Sequence, residues 1–389
     1  MKRKIAIIGA GIGGLAAANA LVRGGVAIGD VEMFERNAET KGVGAGMALW
    51  PNATRVLQTL GVLEECVAQS GPLSLLWVQL ANGKVVMKIR TEAFSTPAVA
   101  LRRMDLHNAL SSRVGQLTTH LEHQCLGLRE SAQGVYLHFK TGVRGPYDVV
   151  IGADGIRSEL REYVQGAIPL RYKGYAIWRG IAQAPDLVAA DGNFFEIWGA
   201  GQRFGILPMG QGTVCWYATV NQPQGDRREL GEQKSFLQKR FRGWATPVEA
   251  LLERTPLDAF VPSDTFDREP NSRWSRGRVV LLGDAVHPIA ANLGMGGCMA
   301  LEDALILGTL LGRDKPIAEL FSRYENLRQN RVANIARRSS VIGAIGQLSN
   351  PVIRPVRDKI CKLIPGGLFT CTSREIHAYR PDLAALRAW

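Results

Sequence analysis

The stretch Lys4-Ile5-Ala6-Ile7-Ile8-Gly9-Ala10-Gly11-Ile12-Gly13-Gly14-Leu15 decides how the rest of the chain is read. Ile5 to Ile8 form a short apolar run, the look of a parallel strand buried on both faces. Glycines at 9, 11 and 14 follow as G-x-G-x-x-G, and the Ala- and Leu-rich stretch from Leu15 to Arg23 reads as a helix. A second strand, Asp30 to Glu35, ends on an acid 21 residues past Gly14. Each part has a physical reason. Gly9 allows the tight turn, Gly11 lets the backbone approach a pyrophosphate, and Gly14 lets helix and strand pack closely, with Gly13 beside it. The helix start offers free N–H groups and a positive dipole end to phosphate. Glu35 would accept from a ribose 2′-hydroxyl and would repel a 2′-phosphate. Strand, turn, helix, strand and acid in register predict a dinucleotide-binding unit. The spacing leaves FAD and NAD both open.

Composition bounds what surrounds this unit. The 389 residues suggest about two domains, and 46% hydrophobic with 21% charged residues is a globular balance. The 43 glycines point to many tight turns and close backbone approaches. The net charge of +12 raises a nucleic-acid or anionic-surface reading. No clustered basic stripe or recognisable module supports nucleic acid. Six scattered cysteines without a C-x-x-C pair fit a reduced, cytoplasmic protein and name no metal site. No apolar run reaches the ~18 residues of a membrane span. The basic start Met1-Lys2-Arg3-Lys4 resembles a signal peptide, but Gly9 to Gly14 interrupt its apolar part.

Further motifs follow in order. Arg36 precedes Gly42-Val43-Gly44-Ala45-Gly46 and Leu49-Trp50-Pro51-Asn52-Ala53. Arg103-Met104-Asp105-Leu106 opens a helix. The strand Asp148 to Gly152 runs into Ala153-Asp154-Gly155, with Arg161 beyond. The strand Arg278 to Leu282 ends in Gly283-Asp284 and leads to Gly294-Met295-Gly296-Gly297. Tyr324-Glu325-Asn326-Leu327-Arg328-Gln329-Asn330-Arg331 comes last. This ordered set resembles the class A flavoprotein monooxygenases, the single-component aromatic hydroxylases together with the zeaxanthin epoxidases. Gly296 to Asp303 is similar to the epoxidase branch.

The resemblance implies an α/β fold: a Rossmann-like FAD-binding domain with an inserted, mostly antiparallel β-sheet substrate domain and a C-terminal helical segment. The implied division is 1–70, 101–168 and 271–345 for the FAD-binding parts, 71–100 and 169–270 for the substrate domain, and 346–389 for the tail. It also implies site residues. Gly9, Gly11, Gly13, Gly14, Glu35, Arg36 and Gly46 would hold the adenosine side of FAD and its surroundings. Arg103 would lie along the pyrophosphate or ribitol, Asp154 would serve FAD and NAD(P)H, and Asp284 would bond the ribityl chain. The backbone at Gly294, Gly296 and Gly297 would face the isoalloxazine, where a helix start stabilises negative charge on reduced flavin. The implied reaction takes NAD(P)H and O2 and hydroxylates or epoxidises a small aromatic or alkene through a flavin C4a-hydroperoxide. With one G-x-G-x-x-G only, NAD(P)H would bind without its own Rossmann unit. Two departures stand out: Ala291 and Met295 occupy positions where relatives commonly carry Pro and Gln.

Residues alone leave several readings side by side. Asp284 could cap the turn after its strand. His287 reads as structural. Aromatic residues crowd 170–220, where short runs between turns read as an antiparallel meander. They could pack the sheet or face a substrate. Alternation places Arg203, Gly205 and Leu207 on one face, and separates Cys215 and Tyr217 from Val214, Trp216 and Ala218. Arg203, Arg179 and Tyr217 are the substrate-facing candidates. Ile353, Val356, Ile360, Leu363 and Ile364 share a helical face ringed by Arg354, Arg357, Lys359 and Lys362. Docking of that face on the protein itself is the first reading, and contact with a membrane surface over 351–369 is the second. The chain is expected as a monomer or homodimer. A non-oxygenating flavin oxidoreductase and a non-catalytic FAD-bound sensor are the rival functions.

Overall fold

The computed structural model describes residues 3–39, 46–91, 94–188, 191–226, 228–364 and 374–389. The opening motif folds as strand Ile5–Ile8 and helix Ile12–Arg23. The helix begins three residues earlier than expected, because extended Gly11 occupies the N-cap and its carbonyl accepts from Leu15 N at 2.9 Å. Gly9 has φ +105°, and a Cβ there would lie 2.5 Å from the carbonyl oxygen of Ala153. A Cβ on Gly14 would collide with the carbonyl of Gly9. The turn is therefore closed on two sides by backbone.

The nucleotide-binding sheet is six-stranded, in the order Ser275–Arg276, Val279–Leu281, Val149–Gly152, Ile5–Ile8, Val31–Phe34, Thr118–His120. Its neighbours run parallel except for the edge pair of Ser275–Arg276 with Val279–Leu281. Ile8 pairs with both Phe34 and Gly152, and Gly152 pairs with Leu281. This register carries Gly9, Glu35, Asp154 and Asp284 to one rim, beyond the carboxyl ends of the strands. Open parallel sheets bind ligands at that rim. Helix Gly296–Leu311 is buried from Cys298 to Leu311 and lies against helix Ile12–Arg23. Contact is close because a Cβ on Gly308 would sit 2.5 Å from Ala20 Cβ.

The second large sheet is seven-stranded, in the order Val261–Asp267, Arg171–Gln183, Thr213–Asn221, Gln202–Pro208, Asn193–Trp198, Leu75–Leu80, Val85–Arg90. The expected meander is present, and it is longer than expected. Asn193–Trp198 also pairs in parallel with Leu75–Leu80, which brings in the early hairpin. One face is core: Trp178, Phe204, Trp216 and Ala218 pack with Leu237, Phe241, Val248, Leu251 and Leu252. The other face turns toward the nucleotide-binding rim. Gly205 pairs with Tyr217 and Leu207 with Cys215, so the faces expected from alternation are the observed ones. Among the described residues, no helix is long and apolar enough to cross a membrane.

Candidate active site

A cavity of about 2230 Å³ separates the rim from the second sheet. Its lower wall includes Arg36, Arg103, Asp154, Asp284 and Gly294 to Gly297, and its upper wall Tyr175, Arg179, Arg203 and Tyr217. These sequence candidates thus converge on one space from both sides, while Gly9, Gly11, Gly13, Gly14 and Glu35 are not among its lining residues.

The lower wall has the features of a cofactor cradle. A Cβ built on Gly11 meets nothing within 4 Å, so this glycine leaves open space at the start of helix Ile12–Arg23. No acid occupies that helix's first turn. Glu35 accepts from the backbone N of Ala10 at 2.9 Å and of Asn37 at 3.0 Å, bracing the glycine turn from the neighbouring strand. Gly13 does a different job from its neighbours: a Cβ there would lie 2.9 Å from Leu282 Cδ1, so it seats the helix on the sheet. Gly46 likewise faces the packing of Met209 and Cys215, its absent Cβ being 2.7 Å from Cys215 Cβ. Gly42 and Gly44 lie outside the described residues.

The two rim carboxylates differ. Asp154 Oδ2 accepts from Glu159 N at 3.0 Å, while its buried Oδ1 has no partner among the described residues. Burial raises its pKa against the hydrogen bonds that lower it. Asp284 is exposed onto the cavity, and its carboxylate makes no hydrogen bond among the described residues, so the capping alternative finds no partner. Burial pushes its pKa up, and His287, Arg103 and Arg161 pull it down. Arg161, which the sequence marked without a role, is 2% exposed. It donates to the carbonyls of Ile156 at 2.6 Å and Ala285 at 3.0 Å, stapling the Asp154 loop to the Asp284 loop. An unpartnered buried acceptor, a free rim carboxylate and a glycine with open space before it together fit a dinucleotide such as FAD. Gly294 adopts the left-handed conformation at φ +62°, which frees the next residues to start helix Gly296–Leu311 facing the cavity.

The upper wall is a polar network set in apolar surroundings. Arg203 is 2% exposed. Its guanidinium donates to Glu196 at 3.1 Å, to Gln347 at 2.9 Å and to Asn292 at 2.6 Å. Burial alone would lower its pKa, but Glu196 raises it, so the charge stays on. Burial and then Glu196 hold the Tyr217 phenol neutral, well above its ordinary pKa. The ring of Tyr217 lies where a Cβ on Gly205 would be, so Gly205 makes room for it. Arg179 is half-buried and donates only to Ser263 Oγ at 3.3 Å, without an acidic partner among the described residues. Burial, with Arg103 adding to it, lowers its pKa.

Sequence reasoning missed Glu196, Asn292 and Gln347. Glu196 carried a signal, as the lone acid in the apolar strand Asn193-Phe194-Phe195-Glu196-Ile197-Trp198. Asn292 accepts from Tyr175 Oη at 2.9 Å as well as from Arg203, and donates to Ser339 O at 3.0 Å. Trp50 Nε1 donates to Leu293 O at 3.0 Å. These bonds fix the loop that holds Ala291 in place of the family proline. Met295 is 1% exposed and packs into the core at the cavity edge.

His287 is 5% exposed and turned away from the cavity groups toward helix Gly296–Leu311. Its Nε2 pairs with Asp303 Oδ2 at 2.6 Å, and Arg328 reaches Asp303 at 2.7 Å and Glu302 at 2.6 Å. Burial would raise the Asp303 carboxyl, but His287 and Arg328 bring it down to about 2. His287 is not among the cavity-lining residues.

Away from the polar groups the cavity continues as an apolar arm. Leu76, Val78, Met87 and Ile89 line one side, and Ile353, Val356 and Ile360 the other.

The family model described as an FAD binding domain matches residues 2–339. The chain is 33% identical over 389 residues to the aurachin C monooxygenase/isomerase of Stigmatella aurantiaca, covering 97% of this chain and 98% of that one. It is 29% identical over 390 residues to the 2-heptyl-3-hydroxy-4(1H)-quinolone synthase of Pseudomonas aeruginosa, covering 96% of each. The crystal structure of Klebsiella pneumoniae HpxO with FAD and uric acid superposes with a TM-score of 0.89 at 28% identity, over 96% of each chain. The chain therefore belongs to the FAD binding domain family and is a flavoprotein oxidoreductase of the FAD-dependent monooxygenase kind.

Proposed function

We propose that this chain is an NAD(P)H-dependent monooxygenase that inserts one oxygen atom into an electron-rich heteroaromatic ring carrying an apolar chain. The observation that supports this most is a single cavity with a cofactor rim below, a polar cluster above and an apolar arm leading away. The balance is ring C–H, O2, NAD(P)H and a proton giving ring C–OH, NAD(P)+ and water. Bound FAD supplies the electron transfer and the activation of O2.

The chain's own residues bind, orient and exclude water. The amides after Gly11 receive the phosphates, Glu35 the ribose, Arg103 and Arg36 the negative charge, and Asp284 the ribityl hydroxyls. Asp154, with its unpartnered oxygen, offers an acceptor shared with the nicotinamide substrate. The helix starting at Gly296 directs N–H groups toward charge developing on the ring. Gly294 supplies the left-handed turn before this helix, and Gly297 leaves room for Met47, whose Cε would lie 2.6 Å from a Cβ there. On the upper wall, neutral Tyr217 orients a polar ring substituent, and Arg179 balances negative charge on it. Arg203 positions Tyr217 through Glu196 and the 290–294 loop through Asn292. The apolar arm holds the chain and keeps water off. The quinolone relative, whose product bears a heptyl chain, supports this substrate shape.

The test loads the protein with FAD and follows NADH or NADPH oxidation, O2 uptake and product mass. A 4-quinolone with an alkyl chain is expected to give O2 uptake matched by a product one oxygen heavier, and uric acid none. Peroxide without oxygenated product across alkyl-quinolones, phenols and alkenes would overturn the reading.

A further inference from the structure

Helix Ile353–Leu363 is docked the opposite way round from its sequence pattern. An apolar stripe was expected to pack on the protein. Instead Arg357 and Cys361, each 7% exposed, are the seated residues. The Arg357 guanidinium donates to Ile345 O at 3.1 Å and stacks 5.1 Å from the Trp198 ring. Cys361 joins Val78, Val86, Met87 and Trp198 in a small core. The apolar residues are left outside: Val352 is 76% exposed, Ile353 52%, Val356 54%, Ile360 51% and Leu363 72%. They follow one another at helical spacing, so the exposure is a continuous stripe. Val341 on the preceding helix, 57% exposed, also lines the cavity near it. Exposed apolar stripes of this kind mark interaction surfaces, since isolated exposed side chains are ordinary and continuous ones are not.

Charge selects the occupant. Lys359 and Lys362 stand exposed beside the stripe, and Lys84 of the neighbouring hairpin stands against Lys362. The only acid in the helix sequence, Asp358, is held by Arg357 at 2.7 Å. An apolar stripe flanked by exposed lysines suits an anionic bilayer surface, where apolar side chains enter the headgroup boundary and cations meet lipid phosphates. A second basic copy would bring lysine against lysine. The stripe is also continuous with the cavity, because Ile353, Val356 and Ile360 line its apolar arm.

We infer that helix Ile353–Leu363 docks the protein on anionic phospholipid bilayers through Val352, Leu363 and the exposed halves of Ile353, Val356 and Ile360, which also line the arm, placing the mouth of the cavity at the membrane surface. This docking stands apart from the oxygenation chemistry.

The test is co-sedimentation of the full-length, FAD-loaded protein with vesicles of phosphatidylcholine alone or mixed with phosphatidylglycerol. Binding is expected to the mixed vesicles and to weaken with added salt. The double variant Val352→Glu and Leu363→Glu changes two residues that do not line the cavity. It is expected to lower binding about tenfold or more, with flavin content and melting temperature unchanged. Lys359→Glu with Lys362→Glu is expected to remove the salt-sensitive part. Absence of wild-type sedimentation with mixed vesicles, or equal sedimentation of the Val352/Leu363 variant, would overturn the inference. So would a concentration-dependent dimer in sedimentation equilibrium that the same variant abolishes, because a second copy would then cover the stripe.

Discussion

Arg328 and Arg203 are both almost completely enclosed, and they are enclosed for different ends. Arg328 is 0% exposed and sits between Glu302 and Asp303, which are also fully buried. Its partners come from helix Gly296–Leu311, which its own long helix packs against. Burial would lower its pKa, but the two carboxylates hold it far above its usual value. Arg203 is 2% exposed, with one carboxylate and two amide partners, and it borders the cavity. The first site joins two helices and is closed to ligand. The second joins a strand, a loop and a helix end around a space. Burial of charge therefore does not by itself mark function; what the charge borders does.

The largest expected effect comes from Arg328→Met. Removing Arg328 leaves Asp303 only His287 as a cationic partner and Glu302 only Arg331, so two fully buried carboxylates share one cation fewer, and a loss of about 3–5 kcal/mol is expected. Denaturant titration reads it. A loss below about 1 kcal/mol would erase the distinction between the two sites.

Arg203→Gln should separate the two in the other direction. Loss of charge-assisted bonds worth about 1.5–3 kcal/mol predicts kcat/KM lowered roughly 10- to 100-fold. Flavin binding should stay, and the stability loss should be less than half that of Arg328→Met. Steady-state kinetics with flavin quantitation checks this; equal stability losses would place Arg203 with the structural arginine.

Acid titration sharpens the structural side. Asp303 lies at about 2 in the fold against an ordinary 3.8, so its contribution is present above about pH 4. That contribution fades as pH falls through about 2, and amounts to roughly 2 kcal/mol. Asp303→Asn should flatten the fall in melting temperature over that window.

The smallest effect is expected from Asn292→Ala, which frees the 290–294 loop from Arg203, Tyr175 and the Ser339 carbonyl. About 1 kcal/mol of stability is expected to go, with a few-fold rise in KM for the ring substrate. Unchanged KM would restrict the network to packing.

Much of the lower wall was legible because its reasons are local. Gly9, Gly11 and Gly14 sit within one turn, and a Cβ on Gly14 would collide with the Gly9 carbonyl, so spacing alone pointed to the tight turn. Gly13 and Gly46 also have packing partners that spacing could not show; these neighbours, Leu282 and Cys215, come from distant parts of the chain. The upper wall was only half legible. Alternation put Arg203 and Tyr217 on the face that the structure turns toward the cavity. It could not supply Gln347, 144 residues from Arg203, or Asn292, 89 residues away.

The C-terminal helix shows the same boundary. Its apolar spacing was plain from sequence, yet Trp198 and Ile345 seat it by Arg357 and Cys361. The sequence by itself determined the dinucleotide unit, the order of rim motifs and the sheet faces, since short-range sterics and periodicity govern those. Only the tertiary structure decided which partners hold Arg203, what pins the loop without its proline, and which side of the last helix meets solvent. Those depend on contacts between segments far apart in the chain, and a side chain's partners there follow from packing rather than from its neighbours in sequence.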